Sequence, residues 1–102
     1  MHKFIRKPEI VEAVQLTAEN REEICKWLNG GKSGRIDESE HGLELGLNAW
    51  YCDYHGDGDL ALEAIDGTEP ATAGDYIIKY GNGLIDVWEK RQFESLYERV
   101  AD

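Results

Sequence analysis

The chain has 102 residues, of which 41% are hydrophobic, and its 21 acidic and 11 basic residues give a formal net charge of −10. A chain of this length forms one domain, residues 1–102, and contains no apolar run of about 18 residues that could form a transmembrane helix. The basic N-terminus lacks the apolar stretch of a signal peptide, and two cysteines cannot build a disulfide framework. We therefore expect reduced thiols at Cys25 and Cys52 and a cytoplasmic location.

The negative charge is concentrated in the middle of the chain. Residues 36–78 contain eleven carboxylates and no lysine or arginine, whereas the rest of the chain holds ten acidic and eleven basic residues. A field of this sign repels nucleic acid and anionic membranes, and it attracts basic protein surfaces. We therefore expect no direct nucleic-acid or membrane binding. Two interpretations of the acidic segment stay open, a partner-binding surface and a face that maintains solubility.

The first predicted elements are a strand and a helix. Residues 9–16 are rich in β-branched and apolar side chains, which predicts a largely buried strand. Asn20 is a favourable N-cap residue, and Glu23 three positions later completes a capping-box pattern, so a helix is predicted to begin there. The pair Gly30-Gly31 predicts the end of this helix.

Two strands are predicted in the acidic middle. Leucine alternates with other residues in "LELGLNAWYC", residues 43–52, and this period of two is typical of a half-buried strand. A second strand is predicted for "DLALEAI", residues 59–65. Between them lies Asp57-Gly58, a preferred residue pair for a tight hairpin turn.

The C-terminal third predicts a hairpin followed by a helix. "GDYIIKY" and "LIDVW" read as strands, and Asn82-Gly83 between them favours a type I′ turn. "EKRQFESLYERV" is predicted to form a short helix with Phe93, Leu96 and Tyr97 facing inward. The pattern as a whole predicts an α+β domain of about five mostly antiparallel strands and two short helices.

The segment "YCDYHGDGD", residues 51–59, is the stretch that most resembles a chemical site. Its aspartates imitate the start of a calcium loop, but Ala64 occupies the twelfth position, where a bidentate glutamate is needed. Cys52 and His55 have no second Cys/His pair nearby to complete a zinc site. The chain also lacks a nucleophile elbow and a phosphate-binding loop. We therefore expect no catalytic residue, metal or cofactor, and interpret the protein as a non-enzyme.

Both ends of the chain carry a further pattern. The residues that form it are Lys7-Pro8, Gln15, Thr17, Gly74-Asp75-Tyr76, Phe93 and Tyr97-Glu98. In this layout the chain resembles small phage and prophage proteins that have a "PGDY"-type motif, although Ala73 stands where a proline is usual. The resemblance implies a phage origin, a small α+β fold and action inside a bacterial host cell. It implies no shared activity, and the Gly-Asp-Tyr segment has a structural explanation as a turn that leads into a buried strand.

These observations predict a phage-type accessory protein that binds a bacterial host protein with a basic surface. It would act as an inhibitor or modulator, with counter-defence and nucleic-acid mimicry as specific forms. The candidate partner-binding residues are acidic: Glu44, Asp53, Asp57, Asp59 and Glu63. The three aspartates, Asp53, Asp57 and Asp59, are expected to be exposed at a hairpin. Two alternatives stay open, a small-molecule or nucleotide pocket near residues 50–55 and a minor phage structural or assembly part.

Overall fold

The computed structural model describes residues 2–6, 9–36, 42, 44–52 and 59–99. Two helices and eight strands lie in these ranges. They are β1 (His2–Arg6), β2 (Glu9–Gln15), α1 (Arg21–Leu28), β3 (Ala49–Cys52), β4 (Asp59–Ala64), β5 (Gly67–Ala71), β6 (Tyr76–Lys79), β7 (Ile85–Trp88), α2 (Lys90–Leu96) and β8 (Glu98–Arg99). Neither helix is long and apolar enough to cross a membrane.

The strands form two antiparallel sheets. One has five strands in the order β7-β6-β2-β1-β8, and the other has three in the order β3-β4-β5. Every described strand pair is antiparallel, which confirms the predicted α+β class. The predicted number of about five strands is too low, because β1, β5 and β8 carry no alternating pattern strong enough to be recognised in the sequence.

The five-stranded sheet separates two apolar layers. Successive side chains of a strand point to opposite faces, so β2 contributes to both layers. On one face, Val11 and Ala13 join an aromatic cluster that includes Phe93 and Tyr97 of the α2 region. On the other face, Val14 and residues of α1 and the three-stranded sheet form the larger core. The sheet is thus covered by α2 on one side and by α1 with the small sheet on the other.

Helix α1 begins after Asn20 and ends where the sequence predicts, but its first turn lacks the predicted capping interaction. The backbone turns away after Leu28 through Gly30 and Gly31, whose φ angles are +66° and +100°. No side-chain cap hydrogen bond forms at Asn20. Its side chain instead accepts a hydrogen bond from the Thr17 N–H (2.8 Å) and donates one to the Gln15 carbonyl (2.9 Å). The predicted capping box is therefore wrong, because the Asn20 side chain stabilises the connection between β2 and α1 and does not cap the helix.

The predicted strand over residues 43–52 is correct only for its second half. Strand β3 begins at Ala49, and residues 44–46 form a turn. The Gly42 carbonyl accepts hydrogen bonds from the N–H groups of Leu45 (3.1 Å) and Leu47 (2.9 Å). Gly46 has φ +75°, a conformation that closes a turn and does not occur in a strand. The alternation of leucines therefore imitates a strand, and Leu45 is exposed.

The hairpin at residues 81–83 is confirmed, with a different turn from the one predicted. Strands β6 and β7 pair antiparallel on either side of it. The Gly83 N–H donates to the Tyr80 carbonyl (2.9 Å), and the Tyr80 N–H donates to the Leu84 carbonyl (2.9 Å). Gly83 has φ +87°, whereas Asn82 has no positive φ. A type I′ turn needs positive φ at both central residues, so this is a three-residue loop closed by a left-handed glycine.

The C-terminal helix is shorter than predicted, because α2 ends at Leu96 and Glu98–Arg99 form strand β8. Two of the three residues predicted to face inward are nevertheless buried. Phe93 and Tyr97 are buried, whereas Leu96 is 47% exposed. The chain leaves the helix after Leu96, and Tyr97 has extended backbone angles (φ −121°, ψ 143°). This change of direction places Tyr97 in the aromatic cluster. Phe93, Leu96 and Tyr97 therefore do not share one inward helical face, and the prediction that Leu96 is buried is wrong.

Candidate functional site

The predicted partner-binding residues do not share one exposed surface within the described residues. Glu44 is exposed, and Glu63 is half-buried and accepts a hydrogen bond from the Thr68 hydroxyl (3.2 Å). Asp59 is only 4% exposed, so the expectation that it is exposed is wrong. It opens β4, the central strand of the small sheet, directly opposite Cys52. Asp53, Asp57 and the predicted Asp57-Gly58 turn lie outside the described residues.

The described part of the proposed pocket near residues 50–55 is occupied by contacts within the chain. The guanidinium carbons of Arg21 and Arg35 lie over the Tyr51 ring, 4.5 and 5.2 Å from its centroid. The Tyr51 hydroxyl donates to Glu22 at 3.1 Å. The Trp50 indole packs directly on the backbone at Gly42, where even a β-carbon would overlap the ring. Tyr51 therefore joins α1 to β3, and the remainder of this proposed pocket lies outside the described residues.

Glu22 is the electrostatic centre of this contact. Hydrogen bonds from the Ser33 and Tyr51 side chains, with the charges of Lys26 and Arg35, lower the pKa of Glu22 against the opposing effect of burial. Among the described residues the one ion pair joins Arg35 to Glu22, with 3.7 Å between Nε and Oε2. These interactions account for Glu22 as a structural residue.

The Gly-Asp-Tyr segment is structural, as the sequence predicts. Gly74 has φ +102°. The Asp75 carboxylate accepts hydrogen bonds from the Thr72 N–H (3.1 Å) and the Thr72 hydroxyl (3.4 Å). Tyr76 then enters the aromatic cluster and stacks on Phe93, with ring centroids 4.0 Å apart. The motif therefore turns the chain into β6, and the turn and the packing of Tyr76 explain all three residues.

A different surface lies where the two sheets meet. The Ile65 N–H, in the turn between β4 and β5, donates to the Ile85 carbonyl of β7 at 3.0 Å. Ile65 is 49% exposed and Leu84, the neighbour of Ile85, is 48% exposed. Both residues lie at hairpin ends, one in each sheet. The hydrogen bond therefore brings together two hairpin ends that each carry an exposed apolar side chain.

Three carboxylates belong to the same two hairpins as these apolar residues. Burial, then the negative charges of Asp86 and Asp66, raises the pKa of Glu69 above its ordinary value. Asp66 is exposed, and Glu69 and Asp86 are half-buried. We call the five residues Ile65, Asp66, Glu69, Leu84 and Asp86 the junction patch. Within the described residues, no lysine or arginine forms an ion pair with its carboxylates.

Asp86 also fixes the local structure of the junction patch. Its carboxylate accepts hydrogen bonds from the Val87 N–H (2.9 Å), the Trp88 indole N–H (2.9 Å) and the Tyr80 hydroxyl (3.4 Å). Lys79, opposite Ile85 in the β6–β7 pair, has its ammonium 5.7 Å from the centroid of the Trp27 ring. The junction patch thus combines a carboxylate held by three hydrogen bonds with negative charge.

Sequence reasoning missed the junction patch because its residues come from two hairpins that belong to different sheets. Asp66 and Glu69 belong to the predicted acidic segment, but Leu84 and Asp86 follow it by several residues. A detectable signal was the placement of isoleucine in the two-residue turn between Ala64 and Gly67, a position that usually holds a polar residue.

A second concave feature lies beside β7. A cavity of about 340 Å³ is lined by Val87, Trp88, Gln92, Ser95 and Leu96. It lies between the edge strand of the larger sheet and helix α2. Its lining contains no titratable side chain and so provides no acid–base chemistry.

Comparison of the chain with known protein families, with curated proteins and with solved structures finds no match. The resemblance to small phage proteins therefore stays a prediction, and the functional argument depends on the chemistry of the chain itself.

Proposed function

We propose that this protein acts by binding a bacterial host protein that has a basic surface, without catalysing a reaction on it. The observation that carries the proposal is the concentration of negative charge in the middle of the sequence. Residues 36–78 hold eleven carboxylates and no lysine or arginine. In the described residues the single ion pair, Arg35–Glu22, takes its carboxylate from outside this segment.

Concentrated charge of one sign favours association with a surface of the opposite sign. It steers the encounter and raises the association rate, and salt weakens it because exposed charges are screened over about 8 Å at physiological ionic strength. The bacterial origin of the partner follows from the resemblance to phage and prophage proteins. An inhibitor or modulator of a host protein is the role that combines these two arguments.

The nucleic-acid mimic is a weaker form of the proposal. It requires a row of exposed carboxylates at regular spacing, and Asp53, Asp57 and Asp59 were its predicted members. Asp59 is buried within β4 and therefore does not contribute to such a row. The proposal for general protein binding does not need this regular spacing, since any clustered carboxylates can serve.

The proposal is tested by affinity capture from bacterial lysate with two charge variants. The first neutralises three carboxylates of the acidic segment, in Glu44→Gln/Asp66→Asn/Glu69→Gln. The matched control, Glu12→Gln/Glu19→Gln/Glu89→Gln, neutralises three exposed carboxylates elsewhere. Both variants have the same net charge, so a difference between them reports the position of the charge and not its total.

We expect the wild-type chain and the control to retain the same host protein at low salt and to lose it at high salt. The segment variant should retain much less of it. Capture that is unaffected by salt, or equal loss in both variants, would contradict the proposal. Purified partner and a measured association rate at several ionic strengths then complete the test.

A further inference from the structure

We propose that the junction patch is the docking surface, and that it takes a partner segment in which apolar side chains are flanked by lysine or arginine. This inference rests on the proposed function and deepens it, because it names the surface and the chemistry that the partner must present. The partner's apolar side chains would cover Ile65 and Leu84, and its cations would lie against Asp66, Glu69 and Asp86.

The apolar part of the argument concerns two side chains that the fold leaves uncovered. Ile65 and Leu84 are each about half exposed, although both adjoin the buried Ile85. A two-residue turn needs no isoleucine for its geometry, so the fold does not explain Ile65. Covering such side chains releases water from apolar surface, and the centre of a binding surface is where this contributes most.

The charge of the junction patch selects the occupant. Asp66, Glu69 and Asp86 belong to the same two hairpins as the apolar pair, and Glu69 is close enough to the other two for their charges to act on it. In the described residues no basic side chain forms an ion pair with these carboxylates. Like charges in proximity raise the free energy of the unbound state, and a cation placed among them relieves this repulsion. A purely apolar partner would leave the carboxylates desolvated without compensation. A partner with lysine or arginine beside its apolar residues satisfies both requirements.

A second copy of this chain does not meet the charge requirement. Each copy has a net charge of −10, so two copies repel each other. An identical junction patch would bring six carboxylates together around four apolar side chains.

The junction patch is also held in one geometry before binding. The hydrogen bond from Ile65 to Ile85 joins the two hairpin ends, and the Asp86 carboxylate is fixed by three donors. A surface that is already ordered loses less conformational entropy on association. The same fixed backbone makes individual side chains of the patch suitable for substitution.

The experiment uses the ¹⁵N-labelled full chain and a short synthetic peptide that alternates lysine with leucine. A peptide of equal charge that alternates lysine with serine serves as the charge-only probe. We expect chemical-shift changes concentrated in residues 64–69 and 82–87, and weaker binding of the lysine–serine peptide. The double variant Ile65→Ser/Leu84→Ser should weaken binding of the lysine–leucine peptide about tenfold, which corresponds to the loss of two modest apolar contacts.

The matched control is Leu45→Ser/Leu96→Ser, because in the part of the chain that the structure describes these residues are the other exposed large apolar side chains, at 44% and 47%. This control should bind within about twofold of the wild-type chain. Equal loss in both double variants, or shift changes that map to another surface, would overturn the inference. Unfolding curves of all variants show whether each remains folded, and the single variants Ile65→Ser and Leu84→Ser replace any that does not.

The two proposals fail in different ways. If the lysate partner binds in a salt-dependent manner and Ile65→Ser/Leu84→Ser leaves this binding intact, the junction patch is not the docking surface although the proposed function stands. If no salt-dependent partner is captured, the proposed function fails whatever the peptide does. A partner lost with the junction variant and retained with the Leu45/Leu96 control supports both.

Discussion

The backbone of Gly34 lies directly against the side chain of Cys25. A β-carbon added at Gly34 would stand 2.7 Å from the Cys25 β-carbon and 3.2 Å from the Ala49 carbonyl oxygen, and it would overlap the Cys25 sulfur. Gly34 also accepts a hydrogen bond from the Tyr51 N–H at 2.8 Å. The segment after α1 is therefore packed between the helix and β3 at a distance that only glycine permits.

The first prediction concerns this close approach. Gly34→Ala should lower the free energy of unfolding by about 1–3 kcal/mol, because a core that is already filled must move to accept a methyl group. Urea unfolding gives the value. Gly81→Ala is the matched control, since a β-carbon there meets nothing within 4 Å.

A second change tests the cause of that loss. Cys25→Ala removes the sulfur that the new methyl group would overlap, so the combined variant Cys25→Ala/Gly34→Ala should lose less stability than the two single losses added together. Simple additivity of the two losses would show that the overlap with Cys25 is not the reason for glycine at position 34.

The second prediction concerns the turn between β6 and β7. Gly83→Ala should destabilise the fold by about 1 kcal/mol or more, because alanine is strained at the positive φ of Gly83 (+87°). The same change at Gly81, which has no positive φ, should leave stability unchanged or raise it by about 0.4–1 kcal/mol, because alanine restricts the unfolded chain. Melting temperatures of both variants decide the point. Equal effects would mean that the turn does not have the described geometry.

The sequence predicts the local elements of this fold better than their ends and contacts. The β6–β7 hairpin and the end of α1 follow from glycine and asparagine chemistry that acts within a few residues. Asn29 shows what such reasoning cannot find. Its side chain accepts hydrogen bonds from the N–H groups of Asn48 (2.8 Å) and Ala49 (2.9 Å) and donates one to the Ala49 carbonyl (2.8 Å). These bonds join residues about twenty positions apart, and no local pattern encodes them.

The candidate site could be predicted only in part for the same reason. The sign and the approximate position of the charge are properties of composition, and the sequence shows them directly. The neighbourhood of Ile65, Glu69 and Asp86 depends on the meeting of two sheets. Asp59 is buried because it lies in the central strand of the small sheet. The polarity of an aspartate predicts exposure and carries no information about this position in the sheet.

The third prediction concerns alkaline pH. Burial, reinforced by the charge of Glu22, raises the pKa of the Cys25 thiol from 9.0 to about 12. Burial, with Tyr97 and Asp86, raises the pKa of Tyr80 from 10.0 to about 12. A group with a raised pKa in the folded state contributes stability that is full below its unfolded pKa and is lost as the pH rises through its folded pKa.

The stability contributed by these two groups should therefore stay level up to about pH 9 and fall between about pH 9 and 12. Urea unfolding at a series of pH values measures the decline. Tyr80→Phe cannot ionise, so its stability should fall less steeply than that of the wild-type chain above about pH 10. Parallel curves for the two proteins would contradict the assignment to Tyr80.

The last prediction joins stability to binding through Glu69. Burial and the neighbouring charges of Asp86 and Asp66 raise the pKa of Glu69 above 4.5. The stability linked to this group is full below pH 4.5 and is lost as the pH rises through the folded pKa, so the ionised carboxylate destabilises the fold at neutral pH.

Glu69→Gln should therefore raise the melting temperature at pH 7, and its advantage should shrink as the pH is lowered towards the pKa of Glu69. Glu44→Gln, at an exposed position outside the junction patch, should change stability little at any pH.

The same Glu69→Gln variant should bind the lysine–leucine peptide more weakly, because one of three attracting charges is gone. A carboxylate that destabilises its own fold and strengthens binding of a cationic segment acts in recognition rather than in folding. A Glu69→Gln protein that gains stability and binds the peptide as well as the wild-type chain would remove Glu69 from the binding surface, and one that loses stability at pH 7 would contradict the repulsion among the three carboxylates.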